Sequence, residues 1–379
     1  MSNVKRSIML TVILSLLLSF FVSAETVIPF EGEGTQESPY LIGTAEEMYR
    51  FAEIVNSGYS FDGEYLKLTD DLLLFDAKTS TAELKTTWTP IGTDFDCSFN
   101  GSFNGDGHEI KGVYIYSDEG IQGLFGCIRD GEIKNLTLSE SVISGNGHYV
   151  AGIVACQYSA DEEDHNKGII SGCVNNAVVI NKSMHTGGVV ASGIRVVDCV
   201  NNGNVTGSDI YVGGVAVGAC RIENCVNNGD VTGTENVAGV CYTTYCERTH
   251  NYERGVFGCT NNGTVKGEKE CFGIVSLDNS VIHGDALITD CSNYGNVYSS
   301  ELPYSILGDM NYDSRITAAD ARRILRCSAK LDSEWNFYDT VRFGDFDYDG
   351  KLTAKDARKC LRYSAGVDDY FKDFGVNIK

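Results

Sequence analysis

Five versions of one short unit run through the middle of the chain: Cys173-Val174-Asn175-Asn176-Ala177, Cys199-Val200-Asn201-Asn202-Gly203, Cys225-Val226-Asn227-Asn228-Gly229, Cys259-Thr260-Asn261-Asn262-Gly263 and Cys291-Ser292-Asn293-Tyr294-Gly295. Their spacings are 26, 26, 34 and 32 residues. A second element recurs between them as Gly188-Val189-Val190, Gly214-Val215-Ala216, Gly239-Val240-Cys241 and Gly273-Ile274-Val275, with Gly152-Ile153-Val154 ahead of the first cysteine. A period in the twenties, with small apolar β-formers and Asn-Gly turns, restricts the fold to stacked coils. One coil cannot bury its own inner face, so a core exists only when coils stack about 4.8 Å apart. The expectation is a mainly β, parallel solenoid over 28–299. In it Asn175, Asn201, Asn227, Asn261 and Asn293 form an inward ladder of amides bonded from coil to coil. The extra residues of the two longer intervals are expected to leave as loops.

The chain ahead of these units reads as the start of the same stack. Thr44 with Glu47 three residues on is a capping box, opening an amphipathic helix that carries Met48, Phe51, Ala52, Ile54 and Val55. That helix is placed to cap one end of the solenoid. Strand-like runs follow at 65–68 and 72–75. Next come Trp88-Thr89-Pro90-Ile91-Gly92, Phe99-Asn100-Gly101-Ser102-Phe103-Asn104-Gly105-Asp106-Gly107 and Gly123-Leu124-Phe125-Gly126. This succession resembles the GLUG-type repeat region of bacterial surface adhesins and secreted peptidase-associated domains. The resemblance implies a right-handed parallel β-helix and no single activity.

A different duplication fills 308–365. One copy reads Gly308-Asp309-Met310-Asn311-Tyr312-Asp313-Ser314-Arg315-Ile316-Thr317-Ala318-Ala319-Asp320, and the other Gly344-Asp345-Phe346-Asp347-Tyr348-Asp349-Gly350-Lys351-Leu352-Thr353-Ala354-Lys355-Asp356. Side-chain oxygens fall at loop positions 1, 3, 5, 9 and 12 of both. That spacing wraps a chain around a hard cation needing six to eight oxygens, with position 7 supplying a backbone carbonyl. A helical run with one apolar face follows each loop, and Arg322/Arg358, Leu325/Leu361 and Ser328/Ser364 match across the copies. The ligands expected are Asp309, Asn311, Asp313, Arg315 by its carbonyl, Thr317 and Asp320, then Asp345, Asp347, Asp349, Lys351 by its carbonyl, Thr353 and Asp356.

The segment closely resembles a type I dockerin, the module that plugs cellulosomal proteins into cohesins on a scaffoldin. The resemblance implies a small α-helical, EF-hand-like module over 306–370, two Ca2+ ions and a cohesin partner. It places the cohesin contacts at Ala318, Ala319, Arg322 and Arg326 in one copy and Ala354, Lys355, Arg358 and Arg362 in the other. Position 12 is Asp rather than the Glu of ordinary EF-hands, which is usual for dockerins. Ser314 stands where the loop's sharp turn favours Gly. A left-handed non-Gly residue costs on the order of 1 kcal/mol, so the first site is expected to be the weaker.

Lys5 and Arg6 precede an apolar run over 8–22 that ends in Val22-Ser23-Ala24. These are the marks of a secretory signal peptide over 1–24. The run is short for a membrane span of about 20 residues, the rival reading. The expected product is secreted, extracellular or held at a cell surface through a cellulosome. The formal charge of −22 becomes more negative when Lys5 and Arg6 leave with the signal. That balance argues against nucleic acid and anionic membrane as partners.

Fourteen cysteines in a secreted chain suggest disulfides. Yet the five repeat cysteines replace a small apolar residue at an inward position, where free thiols pack well. A reduced column is the favoured expectation. Cys241, Cys246 and His250 form only a partial metal pattern. Cys327 and Cys360 are placed either as two free thiols or as a bridge between the two helices. Asp161-Glu162-Glu163-Asp164-His165 reads as a solvated acidic insertion.

Enzymatic β-helices need clustered acids beside an Arg or Lys, or two carboxylates flanking a glycosidic bond. The column before the repeat cysteine holds Gly172, Asp198, Asn224, Gly258 and Asp290, whose two acids are kept apart by two coils. Arg195 and Arg221 stack one coil apart with Glu223 as the near acid. No nucleophile elbow, zinc helix or phosphate loop accompanies them. Tyr149, His185, Tyr211, Asn236 and Glu270 recur ahead of the second glycine, either as a flat strip for sugar rings or as ordinary strand residues. Trp88 reads as core. The expected function is a non-catalytic solenoid that binds glycan, such as plant cell-wall glycan, or a surface, in plant polysaccharide degradation. A polysaccharide lyase or glycoside hydrolase carried by the same docking module is the alternative, and a passive spacer the third reading.

Overall fold

The structure is a computed structural model that describes residues 28–76, 86–118, 120–158, 168–243, 255–275, 287–299, 317–331, 344 and 351–365. The chain packs as two units, Met1–Phe30 and Glu31–Lys379, and the elements below belong to the second. The expected signal peptide lies outside the described residues. No helix among the described residues is long and apolar enough to cross a membrane.

One turn of the coil can be followed strand by strand. Val174–Asn175 lies in an eight-stranded sheet, Val178–Asn181 in a seven-stranded sheet, Thr186–Gly187 in a six-stranded sheet and Val190–Val197 in a twelve-stranded sheet. Val200–Asn201 then returns to the first. Each strand pairs in parallel with its equivalent one coil on: Asn175 opposite Asn201, Val179 opposite Val205, Thr186 opposite Val212 and Val190 opposite Ala216. The chain is therefore mainly β and built as a parallel solenoid. The register continues through Asn227, Asn261 and Asn293, so the longer intervals leave the ladder in place. Their additional residues fall within 244–254 and 276–286, outside the described residues.

The core is a set of columns rather than a centre. Ile143, Val179, Val205, Val231, Val265 and Val297 stand opposite one another in successive coils, and all are buried. β-Branched side chains suit this pleated surface, and each fully buried one contributes about 1.5–3 kcal/mol. Beside them runs the amide ladder. Asn175, Asn201 and Asn227 each donate from Nδ2 to Oδ1 of the next rung at 2.8, 2.8 and 2.7 Å, and Asn261 donates to Asn293 at 2.7 Å. The amides explain the recurrent glycine of the second element. A Cβ on Gly188 would lie 2.5 Å from Asn201 Cγ and 2.0 Å from Gly214 O, so only glycine admits the amide opposite it.

Helix α1 (Ala45–Asn56) caps the first coils. Glu47 N donates to Thr44 Oγ1 at 3.2 Å, and Gly43 N and Thr44 N donate to Glu47 Oε2 at 2.9 and 3.0 Å. Those bonds, the Gly43 N–H foremost, hold the Glu47 carboxyl below its ordinary value. The five apolar residues predicted to be buried are buried. Phe51 packs against Phe61, Phe99 and Phe103 with ring centroids 5.3, 5.4 and 5.7 Å away. Asn56 fixes the helix end to the chain beyond it: Nδ2 donates to Pro90 O at 3.0 Å, and Oδ1 accepts from Gly92 N at 2.8 Å. Trp88 is core, with Nε1 donating to Leu124 O at 3.0 Å. The strand expected at 72–75 is shorter, Leu72–Leu73, although Leu74 N still donates to Lys111 O in the next coil.

Candidate functional site

Two short helices, α2 (Ala318–Ser328) and α3 (Ala354–Ser364), pack against each other and repeat one local design. In the first, Thr317 N and Oγ1 both donate to Asp320 Oδ2 at 2.8 Å, and Ala319 N donates to Thr317 Oγ1 at 3.2 Å. In the second, Thr353 N and Oγ1 donate to Asp356 Oδ2 at 2.8 Å, and Lys355 N donates to Thr353 Oγ1 at 3.1 Å. Asp320 and Asp356 are both fully buried. At a helix N-terminus the backbone N–H groups and the capping hydroxyl stabilise such a carboxylate. The described residues thus fit the closing end of two cation loops: a hydroxyl at position 9 beside a buried carboxylate at position 12. The other expected ligands, Asp309, Asn311, Asp313, Arg315, Asp345, Asp347 and Asp349, lie outside the described residues, while Lys351 is described and exposed.

The eight positions expected to meet a partner, Ala318, Ala319, Arg322, Arg326, Ala354, Lys355, Arg358 and Arg362, are all exposed. The buried faces are narrower than the apolar spacing implied, comprising Ala321 and Ile324 on α2 and Ala357 and Cys360 on α3. Leu325 and Leu361 are each 47 % exposed at matching positions. These two leucines, matched across the copies, extend the exposed surface. Cys327 and Cys360 carry free thiols rather than a bridge. Burial, with the Asp320 carboxylate nearby, pushes the Cys360 thiol up to about 12.

The aromatic strip on the solenoid differs from its expected form. Ring centroids are 4.8 Å apart for Tyr149 and His185, 5.2 Å for His185 and Tyr211 and 4.8 Å for Tyr211 and Tyr242, with interplanar angles of 29°, 36° and 31°. The rings face one another along the stack, so their faces are occupied by neighbours and not turned outward for sugars. Tyr242 takes the place expected for Asn236. His185, Tyr211, Asn236 and Glu270 share a positive φ, which makes this column a left-handed corner.

A different outward surface is regular. Asn202 Nδ2 donates to Asn176 Oδ1 at 2.8 Å, Asn228 to Asn202 at 2.7 Å and Asn262 to Asn228 at 2.7 Å, all exposed. Tyr294, 74 % exposed, occupies the next rung. Asp230 N donates to Asn204 Oδ1 at 3.1 Å and Thr264 N to Asp230 Oδ1 at 2.9 Å, forming a parallel second row. Half-buried Val174, Val200 and Val226 precede the exposed Asn of each coil. Each amide keeps a second N–H for an outside acceptor. The signal for this surface was the doubled Asn of the first four units, of which only the inward member drew a role from the sequence.

The column ahead of the repeat cysteine, whose two acids lie two coils apart, has a backbone cause. Gly172, Asp198, Asn224, Gly258 and Asp290 have φ of 61°, 53°, 53°, 60° and 58°. Gly, Asn and Asp are the residues that tolerate this conformation, so the corner selects them. Arg221 Nε meets Glu223 Oε2 at 3.1 Å, and its guanidinium lies 4.3 Å from the Phe257 ring centroid. Glu223 is thereby committed to a structural ion pair. Among the described residues no group of three or more His, Cys, Asp or Glu is arranged to hold a metal.

The five repeat cysteines are free and buried. Each Sγ donates to the carbonyl two residues earlier, at 3.3–3.4 Å. Cys220 is disulfide-bonded. Cys246, His250 and the acidic insertion at 161–165 lie outside the described residues.

The chain matches no protein-family profile. It is 36% identical over 121 residues to a protein of Evansella cellulosilytica provisionally described as a Gly-rich membrane protein, covering 31% of this chain and 13% of that one. It is 32% identical over 136 residues to halomucin of Haloquadratum walsbyi, covering 33% of this chain and 1% of that one. The chain thus spans a small fraction of the length of either relative. Among solved structures it is similar to a Bacteroides ovatus protein provisionally described as an immunoglobulin A1 protease, at a TM-score of 0.53 and 20% identity over 73% of this chain and 82% of that one. That likeness concerns the fold.

Proposed function

We propose that this is a secreted cellulosomal subunit, in which a right-handed parallel β-helix is joined to a type I dockerin that docks onto a scaffoldin cohesin when two Ca2+ ions are bound. The observation that carries the reading is the pair of fully buried carboxylates, Asp320 and Asp356, each closing the same Thr-capped turn with the same 2.8 Å bonds. Calcium, when bound, would neutralise these carboxylates and tie each loop to its helix. Thr317 and Asp320 would serve one ion, and Lys351 by its carbonyl, Thr353 and Asp356 the other. A module this small has little core of its own, so the ions would supply much of its folding free energy. The exposed Arg322, Arg326, Arg358 and Arg362, with Leu325 and Leu361 between them, form the surface offered to the cohesin.

The solenoid is read as a binding element without catalysis. Its exposed Asn176–Asn202–Asn228–Asn262 ladder is uncharged on a chain of formal charge −22. Neutral plant cell-wall glycan suits it better than an acidic polymer.

The test uses the full chain stripped with chelator. Titration calorimetry with calcium chloride should show two sites, and capture on an immobilised type I cohesin panel should require calcium. Binding to a cohesin that persists in excess chelator, or an absence of calcium uptake, refutes the docking reading. Pull-down on insoluble cellulose and xylan, comparing the wild type with Asn202→Lys/Asn228→Lys, tests the solenoid separately. Release of reducing ends or unsaturated products from either polymer would overturn the non-catalytic assignment.

A further inference from the structure

Outside the repeat column, two further cysteines meet on adjacent coils. Cys127 lies in Phe125–Arg129 and Cys156 in Val154–Tyr158, and the two residues are direct partners in the parallel pairing of these strands. Neighbouring strands are about 4.8 Å apart, inside the Cα separation of about 4.4–6.8 Å that a disulfide spans. Both thiols are free, with Cys127 fully buried and Cys156 5% exposed. Beyond Cys156 the column continues with Ser192 and Gly218, neither of which carries a thiol.

The repeat cysteines also contact one another along their column, but each of those sulfurs in addition donates to a backbone carbonyl. Contact with the neighbouring thiol, with burial, pushes Cys199, Cys259 and Cys291 up. The Cys127 thiol donating to its neighbour holds the Cys156 thiol below its ordinary value, and the same contact, with burial, pushes Cys127 up. Cys156 is thus the member suited to attack, since the thiolate is the reacting form.

We propose that Cys127 and Cys156 are a built site for an inter-coil disulfide, formed by exchange with a low-molecular-weight disulfide. Cys156 gives its proton to solvent and its thiolate attacks one sulfur of that disulfide, releasing one thiol and leaving a mixed disulfide. Cys127 then loses its proton and attacks the Cys156 sulfur, releasing the second thiol. Two protein thiols are oxidised and one external disulfide is reduced to two thiols. The bond ties neighbouring coils at the capped end of the stack, where Phe125 meets Phe51 of α1 at 6.4 Å between centroids. The inference is independent of the docking reading.

The full chain, reduced and then equilibrated with excess oxidised glutathione, is alkylated and mapped by peptide mass spectrometry. A Cys127–Cys156 cross-linked peptide should appear before any link among Cys173, Cys199, Cys225, Cys259 and Cys291. Oxidation should raise the melting temperature by a few degrees beyond the rise that re-forming the Cys220 disulfide gives, and Cys156→Ser should abolish that additional rise while melting like wild type when both are reduced. Recovery of Cys127 and Cys156 as free thiols when Cys220 is fully oxidised would overturn the proposal. Prior linkage within the repeat column would do the same.

Discussion

Replacing Asn201 by Leu tests whether the amide ladder holds the coils together. Asn201 is fully buried, and its Nδ2 donates to Gly203 O and Asn227 Oδ1, each at 2.8 Å, while its Oδ1 accepts from Asn175 Nδ2 at 2.8 Å. Leucine removes all three bonds and leaves an N–H, a carboxamide oxygen and a backbone carbonyl in the core. Each orphaned buried group costs about 1–3 kcal/mol, so the three cost about 3–9 kcal/mol together, and extra apolar burial returns about 1–2 kcal/mol, which centres the net loss on about 4 kcal/mol. The branched side chain must also fit against Gly188, where the amide leaves no room for even a Cβ. At about 2–4 °C per kcal/mol, the melting temperature should fall by roughly 8–16 °C. Stacked coils can open locally, so hydrogen exchange should be read with the melt, with faster exchange at the amides of Val200 and Val226. Asn202→Leu, one residue away and exposed, should stay within about 0.5 kcal/mol. A melt unmoved by Asn201→Leu, or moved equally by Asn202→Leu, would refute the reasoning.

Gly214→Ala should destabilise the stack by several degrees in a thermal melt, because its Cβ would lie 2.0 Å from Gly239 O and 2.6 Å from Asn227 Cγ. Burial lowers the pKa of His185, so the unfolded chain takes up a proton first as pH falls through about 6.5, and stability is lost below that value; His185→Asn, which tolerates the positive φ, should flatten the dependence of melting temperature on pH between neutral and mildly acid. Asp356→Asn should lower calcium stoichiometry from two to one and reduce helical circular dichroism. Asp345→Ala/Asp349→Ala should damage cohesin capture more than Asp309→Ala/Asp313→Ala does, and equal damage would show that Ser314 does not weaken its loop. Deleting 174–199, one 26-residue period, should give a folded, shorter solenoid with the register intact, and loss of cooperative unfolding would contradict the coil assignment.

Much of this was legible because a solenoid writes its contacts into the sequence as a period. Asn175 and Asn201 are partners in space because they are one coil apart in the chain, so inward position, pairing and burial followed from a single count. The capping helix was legible for a local reason: Thr44 and Glu47 make the same reciprocal bonds in any helix that starts this way. The sequence was hardest to read where a residue's identity answers to the backbone. Asp198 and Asp290 were set aside because two coils separate them, and the structure adds why acids stand there at all: the corner needs left-handed φ. Tyr149, His185 and Tyr211 were placed in one column correctly, but a column does not say whether rings turn faces or edges outward. Spacing gave each short helix one apolar face without fixing its width, and the packing of α2 on α3 leaves the matched Leu325 and Leu361 exposed.

The two amide ladders are consequences of one local alternation. Because adjacent side chains on a strand point to opposite faces, Asn201 bonding inward turns Asn202 outward, and the inner bonds that fix coil spacing also fix the spacing of the outer groups. A surface held this way loses little side-chain entropy on binding, since each exposed amide is already restrained by its neighbour. An extended polymer lying along the stack would meet one amide per coil, and weak contacts at fixed intervals add as linked sites do. The same regularity works against catalysis on this face, because chemistry needs unlike groups converging on one bond, whereas a ladder of identical residues presents equal groups at equal distances.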